Sequence, residues 1–155
     1  DVLILTLGYT ESWYLKDGGV PVNGTPPSQL LYRTPDRFGF VNAGYDEVRE
    51  SLNSVMNSLS FNLPNPPKVV ITVSPVPLTD TFMDLDVITA NTHSKSVLVA
   101  AAQSIARDHD WIDYFPSYEI ITHSSRERTW EPDGVHVLGG AVRWVIDHFK
   151  RAYFE

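Results

Sequence analysis

The sequence predicts an α/β fold in which helices cover a parallel sheet. Three short runs of β-branched and other apolar residues have the composition of buried strands. Between and after these runs lie longer stretches whose apolar residues recur every three or four positions, the spacing of an amphipathic helix. This alternation of strands and helices is typical of a parallel sheet with right-handed crossover connections. In such sheets, ligands bind beyond the carboxyl ends of the strands.

The first predicted strand, Val2–Leu7, is an almost continuous apolar run, which is typical of a strand buried on both faces. Because only Asp1 precedes this strand, we expect the chain to be part of a longer protein, truncated just before a core strand. The second predicted strand is Lys68–Val73, which ends at Ser74, and the third covers residues 111–115. The connection between the first strand and the first helix, residues 8–44, is predicted to be a long functional loop rich in Gly, Pro and aromatic residues.

Four stretches have helical character. The helical spacing of Val48, Leu52, Val55 and Leu59 predicts the first helix, and a stripe that includes Val142, Ile146 and Phe149 predicts the last one. A short helix is also predicted from Ser124 to Arg128. The predicted helices cover residues 46–59, 91–107, 124–128 and 138–153.

Composition excludes several classes of function. The 155 residues carry a net charge of −7 with only 12 Lys and Arg, which argues against a nucleic-acid or an anionic-membrane partner. The absence of cysteine removes disulfides, thiol nucleophiles and cysteine zinc sites. The five histidines lack metal-ligand spacing, and no glycine-rich nucleotide loop occurs, so we expect no metal and no cofactor. No apolar run is long enough to span a membrane. The compartment stays open; the cytoplasm is favoured because no signal peptide opens the chain.

The sharpest local motif is Asp133-Gly-Val-His136, which directly precedes the last predicted helix. A carboxylate three residues before a histidine can accept a hydrogen bond from the imidazole Nδ1–H and stabilise the imidazolium when Nε2 takes a proton. The motif therefore predicts a general base held in place by a carboxylate. The alternative is a solvated turn in which Asp133 only caps backbone amides.

A nucleophile is harder to assign. Ser12, Ser74, Ser94 and Ser117 are candidates, but none lies in the Gly-x-Ser-x-Gly context of a nucleophile elbow. Ser74 follows a strand, and its neighbour is a proline that cannot donate to an oxyanion. Ser74 and Ser117 are therefore interpreted first as structural and second as catalytic. Asn91 has two interpretations as well: a helix cap, which we favour, or a polar group on the substrate.

Several segments, taken in chain order, together resemble the GSCFA domain family, a bacterial group similar to the SGNH/GDSL hydrolases. The resemblance covers nearly all of the chain, and the phrases around Ser74 and Ser117 are its more specific parts. The segments that carry it are Thr6-Leu7-Gly8, Thr72-Val73-Ser74-Pro75-Val76, Asn91 with Ser94-Lys95, Tyr114-Phe115-Pro116-Ser117-Tyr118-Glu119-Ile120, and Asp133-x-x-His136.

The resemblance implies a flavodoxin-like three-layer α/β/α fold and one domain, residues 1–155, that lacks its amino-terminal strand or strands. It implies ester hydrolysis or acyl transfer on a glycan or other small-molecule ester, plausibly acylated carbohydrate, with His136 as general base and Asp133 orienting it. The nucleophilic serine of such a domain would come from upstream of Asp1. We therefore expect the missing segment, or a partner chain, to lie beside the first strand, since an open apolar strand edge needs covering.

The sequence departs from the family pattern at three places. Gly8 lies where the oxyanion block would be, but Thr10 stands roughly where that block has an asparagine. Pro77-Leu78 replaces a basic residue or histidine, and Val137 replaces a proline after the histidine. Two further hypotheses therefore stay open. One is a non-catalytic carbohydrate-binding or scaffolding module of a larger glycan-processing protein. The other is a self-contained site in which Ser74 is the nucleophile and lies within hydrogen-bond distance of His136.

Overall fold

A computed structural model describes all residues of the chain, 1–155. It has six strands, six α-helices and one short 3₁₀ turn at Pro35–Arg37. In chain order the elements are β1 (Val2–Leu7), β2 (Glu11–Leu15), β3 (Val20–Val22), α1 (Ser28–Arg33), β4 (Phe38–Asn42), α2 (Tyr45–Asn62), β5 (Lys68–Val73), α3 (Val87–Asp108), β6 (Ile112–Phe115), α4 (Ser117–Thr122), α5 (Arg126–Thr129) and α6 (Gly139–Phe154).

The larger sheet is parallel, as the sequence predicts, with the order β1–β5–β6. Its three strands are the three predicted ones; only the first residue of the third differs, since β6 begins at Ile112. Every residue of β1 is paired with β5, from Val2 opposite Lys68 to Leu7 opposite Val73. Because the three strands are parallel, all of their carboxyl ends lie at the same end of the sheet.

Helices cover both faces of this sheet, which confirms the predicted α/β/α layering. On one face α2 and α3 pack against β5 and β6 and bury a core that contains Met56, Ile71 and Ile105, all 0% exposed. On the other face α4 contacts β5, and the Phe149 ring of α6 meets Phe115 of β6 at 5.1 Å between ring centroids. Burial of these apolar side chains is the main force that holds the layers together.

The expectation that β1 is buried on both faces is wrong. Val2 is 48% exposed and Ile4 is 52% exposed, whereas Val69, Ile71 and Val73 of β5 are almost completely buried. The reason is position, because β1 pairs with one strand only and lies at the edge of the sheet. The apolar composition of β1 is thus only partly covered by the chain itself.

The predicted long loop over residues 8–44 is also wrong. This segment contains α1 and a second, antiparallel sheet in the order β3–β2–β4. Gly18 and Gly19, with φ of 80° and 64°, make the turn between β2 and β3, a backbone conformation that side chains disfavour. Trp13 lies opposite both Val22 and Phe40, so cross-strand aromatic and β-branched contacts stabilise the small sheet.

The four predicted helices are present as α2, α3, α5 and α6, with ends that differ by up to four residues. The largest difference is at the start of α3, which begins at Val87 and not at residue 91. Its N-cap is Asp86, whose Oδ1 accepts hydrogen bonds from the amides of Ile88 at 2.8 Å and Thr89 at 3.3 Å. The favoured interpretation of Asn91 as a cap is therefore wrong, because Asn91 already lies inside the helix. The helices α1 and α4 are not among the predicted ones.

We expect Asp86→Ala to lower the free energy of unfolding by about 1 kcal/mol, because two amides at the start of α3 lose their acceptor. Urea unfolding followed by circular dichroism measures this change. Asp84→Ala is the matched control, since Asp84 is an exposed acidic residue of the same loop that makes no hydrogen bond. An equal loss in both variants would mean that the cap contributes nothing of its own.

Candidate active site

Three segments meet beyond the carboxyl ends of the parallel strands. Gly8 follows β1, Ser74 follows β5, and Ser117 begins α4 with only Pro116 between it and β6. These connections contain candidate residues that are predicted from the sequence. They lie side by side because β5 stands between the other two strands.

The turn that carries Asp133 and His136 lies on the same side. The helix α6 runs against the direction of β6, since Phe149 contacts Phe115 at the end of β6 and the Tyr153 hydroxyl donates to Asp113 nearer its start, at 2.8 Å. Gly139, ten residues before Phe149, therefore lies about 15 Å further along, beyond the carboxyl end of β6. The Asp133 turn immediately precedes this end of α6.

Asp133 and His136 form a closely bonded pair. The imidazole Nδ1–H donates to Asp133 Oδ2 at 2.6 Å, and Oδ1 of the same carboxylate accepts from the amides of Val135 at 2.9 Å and His136 at 3.0 Å. Gly134 adopts a φ of 70°, which lets the chain turn back between the two residues. The capping role and the orienting role of Asp133, which the sequence analysis treats as alternatives, thus occur together.

These contacts shift the pKa of Asp133 and the pKa of His136. The hydrogen bond from the His136 ring, with those from the two amides, lowers the pKa of Asp133 to about 2. The carboxylate in turn raises the pKa of His136, first through that hydrogen bond and then through its charge. The His136 side chain is 73% exposed, and its Nε2 has no partner within the chain. The pair can therefore take a proton at Nε2 from an incoming hydroxyl.

Ser74 and Ser117 both have partners of their own. The hydroxyl of Ser74 accepts from the amide of Val76 at 3.3 Å, and no hydrogen bond joins it to His136. Ser117 Oγ lies 2.9 Å from the carbonyl oxygen of Val73 and 2.6 Å from Thr72 Oγ1. Ser117 thus ties the start of α4 to the end of β5.

Thr10 is held by two bonds of its own. It is 4% exposed; its amide donates to Ser94 Oγ at 2.9 Å, and its hydroxyl donates to Asn42 Oδ1 at 2.6 Å. Asn91, the remaining candidate, accepts from the amide of Leu78 at 3.0 Å and so links α3 to the segment after β5. Gly8, Thr10, Ser74 and Asn91 therefore lie in the loops and helix around the ends of β1 and β5. No hydrogen bond links them to Asp133 or His136.

Lys95, for which the sequence predicts no role, is buried in the same region. Its side chain is 1% exposed, with Nζ donating to the Gly8 carbonyl oxygen at 2.9 Å and lying 4.4 Å from the centre of the Tyr9 ring. No carboxylate forms an ion pair with it. Burial lowers the pKa of Lys95 to about 8. A single lysine inside a helix offers no sequence signal for such a position.

A cleft of about 540 Å³ opens between the small sheet and the segment after β5. Its aromatic wall is formed by Trp13, Phe40 and Phe82, whose ring centroids are 4.9 to 5.8 Å apart. Tyr9 lines the same cleft. We call this space the aromatic cleft.

No group of three or more His, Asp or Glu side chains is placed to hold a metal ion. None of the helices is both long enough and apolar enough to cross a membrane.

In a comparison with protein families, the model of the GSCFA family matches residues 1–149 of the chain. The chain belongs to the GSCFA family. This family is hydrolase-like, and the matched residues of this GSCFA chain include all six strands and the Asp133–His136 turn. No curated protein and no solved structure matches the chain significantly.

Proposed function

We propose that this GSCFA chain is part of an SGNH-type acyl esterase or acyltransferase domain that acts on acylated carbohydrate. The observation that supports the proposal most is the Asp133–His136 pair, with 2.6 Å between Oδ2 and Nδ1 and with Nε2 left without a partner. This is the arrangement of a base and its orienting carboxylate in hydroxyl-dependent acyl transfer. Membership of a hydrolase-like family agrees with it.

In the proposed mechanism His136 Nε2 takes the proton of a serine hydroxyl while the serine oxygen bonds to the acyl carbonyl carbon. The resulting tetrahedral intermediate breaks its bond to the alcohol oxygen, which leaves with the proton from His136. Water or an acceptor hydroxyl then attacks the acyl-serine by the same two steps, again through His136. Asp133 stays ionised throughout and stabilises the imidazolium.

We propose that the serine lies in a segment that precedes Asp1. Ser117 is occupied by bonds to the end of β5, and Ser74 makes no hydrogen bond to His136. The edge of β1 offers a place for such a segment, since Val2, Leu3 and Ile4 are 38 to 52% exposed and the strand has one open side. The amide of Gly8 makes no hydrogen bond within the chain, so it is a candidate oxyanion donor.

Labelling of the full-length protein, as isolated, with a fluorophosphonate probe tests this proposal. The probe phosphonylates only a serine that a base activates, and peptide mapping identifies the labelled residue. We expect one labelled serine in the segment before Asp1, and we expect His136→Ala to abolish the labelling. His123→Ala is the control, because His123 is also exposed but lies at the end of α4.

Two other results would replace the proposal. A label on Ser74 would favour the self-contained site within this chain. No labelled serine, together with the absence of any serine before Asp1, would favour a non-catalytic carbohydrate-binding or scaffolding module. The aromatic cleft is the observation that favours this second function, because aromatic side chains are suited to sugar rings.

A further inference from the structure

We propose that the aromatic cleft binds a sugar ring of the substrate and selects neutral over acidic sugars. The assignment of this ligand as part of an acyl ester rests on the proposed function, whereas binding itself does not. The volume of about 540 Å³ is within the range of small-molecule sites, and both apolar and polar residues line it.

The apolar wall suits the C–H face of a sugar ring. Phe82 meets Trp13 edge-on, at 84° between ring planes, and is itself 46% exposed. Trp13 is also fixed by Phe40 on the neighbouring strand, at 5.3 Å between centroids. Aromatic faces carry partial negative charge and attract weakly positive C–H groups. The small sheet holds these rings in place before a ligand arrives.

Polar groups with free hydrogen-bonding capacity line the rest of the cleft. Ser12, Asn23 and Thr25 are exposed, and none of their side chains forms a hydrogen bond within the chain. Together they offer both donors and acceptors. Sugar hydroxyls both donate and accept, whereas a protonated amine only donates and the quaternary nitrogen of choline does neither. This mixture of groups favours a polyhydroxylated ring over an ammonium ion.

The charges of the cleft favour a neutral ring over an acidic one. Glu11 and Asp80 line it, and no Lys, Arg or His does. Both oxygens of Glu11 already accept hydrogen bonds, from Thr81 Oγ1 at 2.5 Å and the Phe82 amide at 3.3 Å. Asp80 accepts only from its neighbour Thr79, at 3.1 Å, so its charge stays open to a ligand. A carboxylate on the sugar would be repelled by Asp80.

The position of the cleft links it to the candidate active site. Tyr9, the residue after Gly8, lines the cleft on one side and contacts the buried Lys95 ammonium on the other. The cleft is therefore built from the connections that follow β1 and β5, whereas the Asp133 turn lies beyond the carboxyl end of β6.

Titration calorimetry with methyl β-glucoside, methyl β-N-acetylglucosaminide, cellobiose, glucuronate and choline tests the proposal on the full-length protein. We expect saturable binding of at least one neutral sugar and binding of glucuronate that is about tenfold weaker than that of methyl β-glucoside. Phe82→Ala should weaken neutral-sugar binding about tenfold. Phe61→Ala is the matched control, since Phe61 is 90% exposed on α2 and away from the cleft.

Asp80→Asn provides a second test that does not depend on packing, because Asp80 is exposed. We expect it to narrow the difference in affinity between methyl β-glucoside and glucuronate, because the charge that repels the glucuronate carboxylate is removed. The proposal is overturned if no neutral sugar binds, if choline binds more tightly than every sugar, or if Phe82→Ala binds like the wild-type protein. It is also overturned if Asp80→Asn leaves the preference for neutral sugars unchanged.

Failure of this inference and failure of the proposed function give different results. Loss of sugar binding in Phe82→Ala, in a protein whose serine reacts with fluorophosphonate, supports both. Serine labelling without any sugar binding overturns the cleft alone. Sugar binding with no labelled serine overturns the esterase and keeps the cleft as the site of a binding module.

Discussion

His136→Ala in the full-length protein is expected to lower ester turnover by about 10³- to 10⁴-fold. The reason is that no other base near the carboxyl ends of the parallel strands is bonded to a carboxylate. The fold is expected to be kept, because the side chain is 73% exposed and its only side-chain bond is to Asp133. Turnover of a chromogenic acyl ester and thermal unfolding measure the two effects. Turnover within a few fold of the wild-type protein would contradict the proposed mechanism.

Asp133→Asn tests whether Asp133 orients the imidazole of His136 or only stabilises the turn. The dependence of turnover on pH distinguishes these two roles. Asp133 raises the pKa of His136, so in the wild-type protein the free base is lost at a higher pH than for an ordinary histidine. Activity should therefore fall, on acidification, through this raised pKa. In Asp133→Asn the acid limb should move to lower pH while turnover at neutral pH decreases. A merely structural role of Asp133 would leave the limb in place.

Lys95 is expected to make the protein more stable as the pH rises, by about 2 kcal/mol between about pH 7 and about pH 9.5. Its pKa falls from 10.5 in the unfolded chain to about 8 in the fold. The unfolded state therefore binds more protons between these values, so the free energy of unfolding increases with pH in that window. Below about pH 8 the buried Lys95 is charged, and its unfavourable contribution to the free energy of unfolding is at its largest.

Urea unfolding at the two pH values measures this effect, with Lys95→Met as the test variant and Lys150→Met as the exposed control. The rise should disappear in Lys95→Met and persist in Lys150→Met. Tyr9, in contact with Lys95, does not interfere, since burial raises its pKa and it stays neutral in this window. Equal pH slopes in both variants would show that Lys95 ionises as it does in water.

Local patterns predict those parts of the fold that depend on residues close in sequence. The strands β1 and β5 and the helices α2 and α6 follow from apolar runs and helical spacing. The exposure of β1 does not, because composition shows that a strand is apolar and not which neighbours cover it. The start of α3 was missed because the strongest polar cluster, around Asn91, stands inside the helix, four residues after the first helical residue.

The second, antiparallel sheet is another part of the fold that local sequence patterns do not predict. Gly18, Gly19 and several prolines make residues 8–44 look like a loop, but Trp13 pairs with Phe40, 27 positions away in the chain. Sequence spacing carries no signal for such a pairing. Trp13 and Phe40, which the sequence places in a loop, line the aromatic cleft together because β2 pairs with β4 in an antiparallel arrangement.

The sequence by itself determined the Asp133–His136 pair, because both residues belong to one turn of four residues that closes through its own backbone amides. The three parallel strands and the family also follow from the sequence. Only the tertiary structure decided the place of Lys95, whose partner Gly8 lies 87 positions away, and the aromatic cleft. A local turn is fixed by short-range hydrogen bonds, whereas a buried charge or a cleft depends on which distant segments the packed layers bring together.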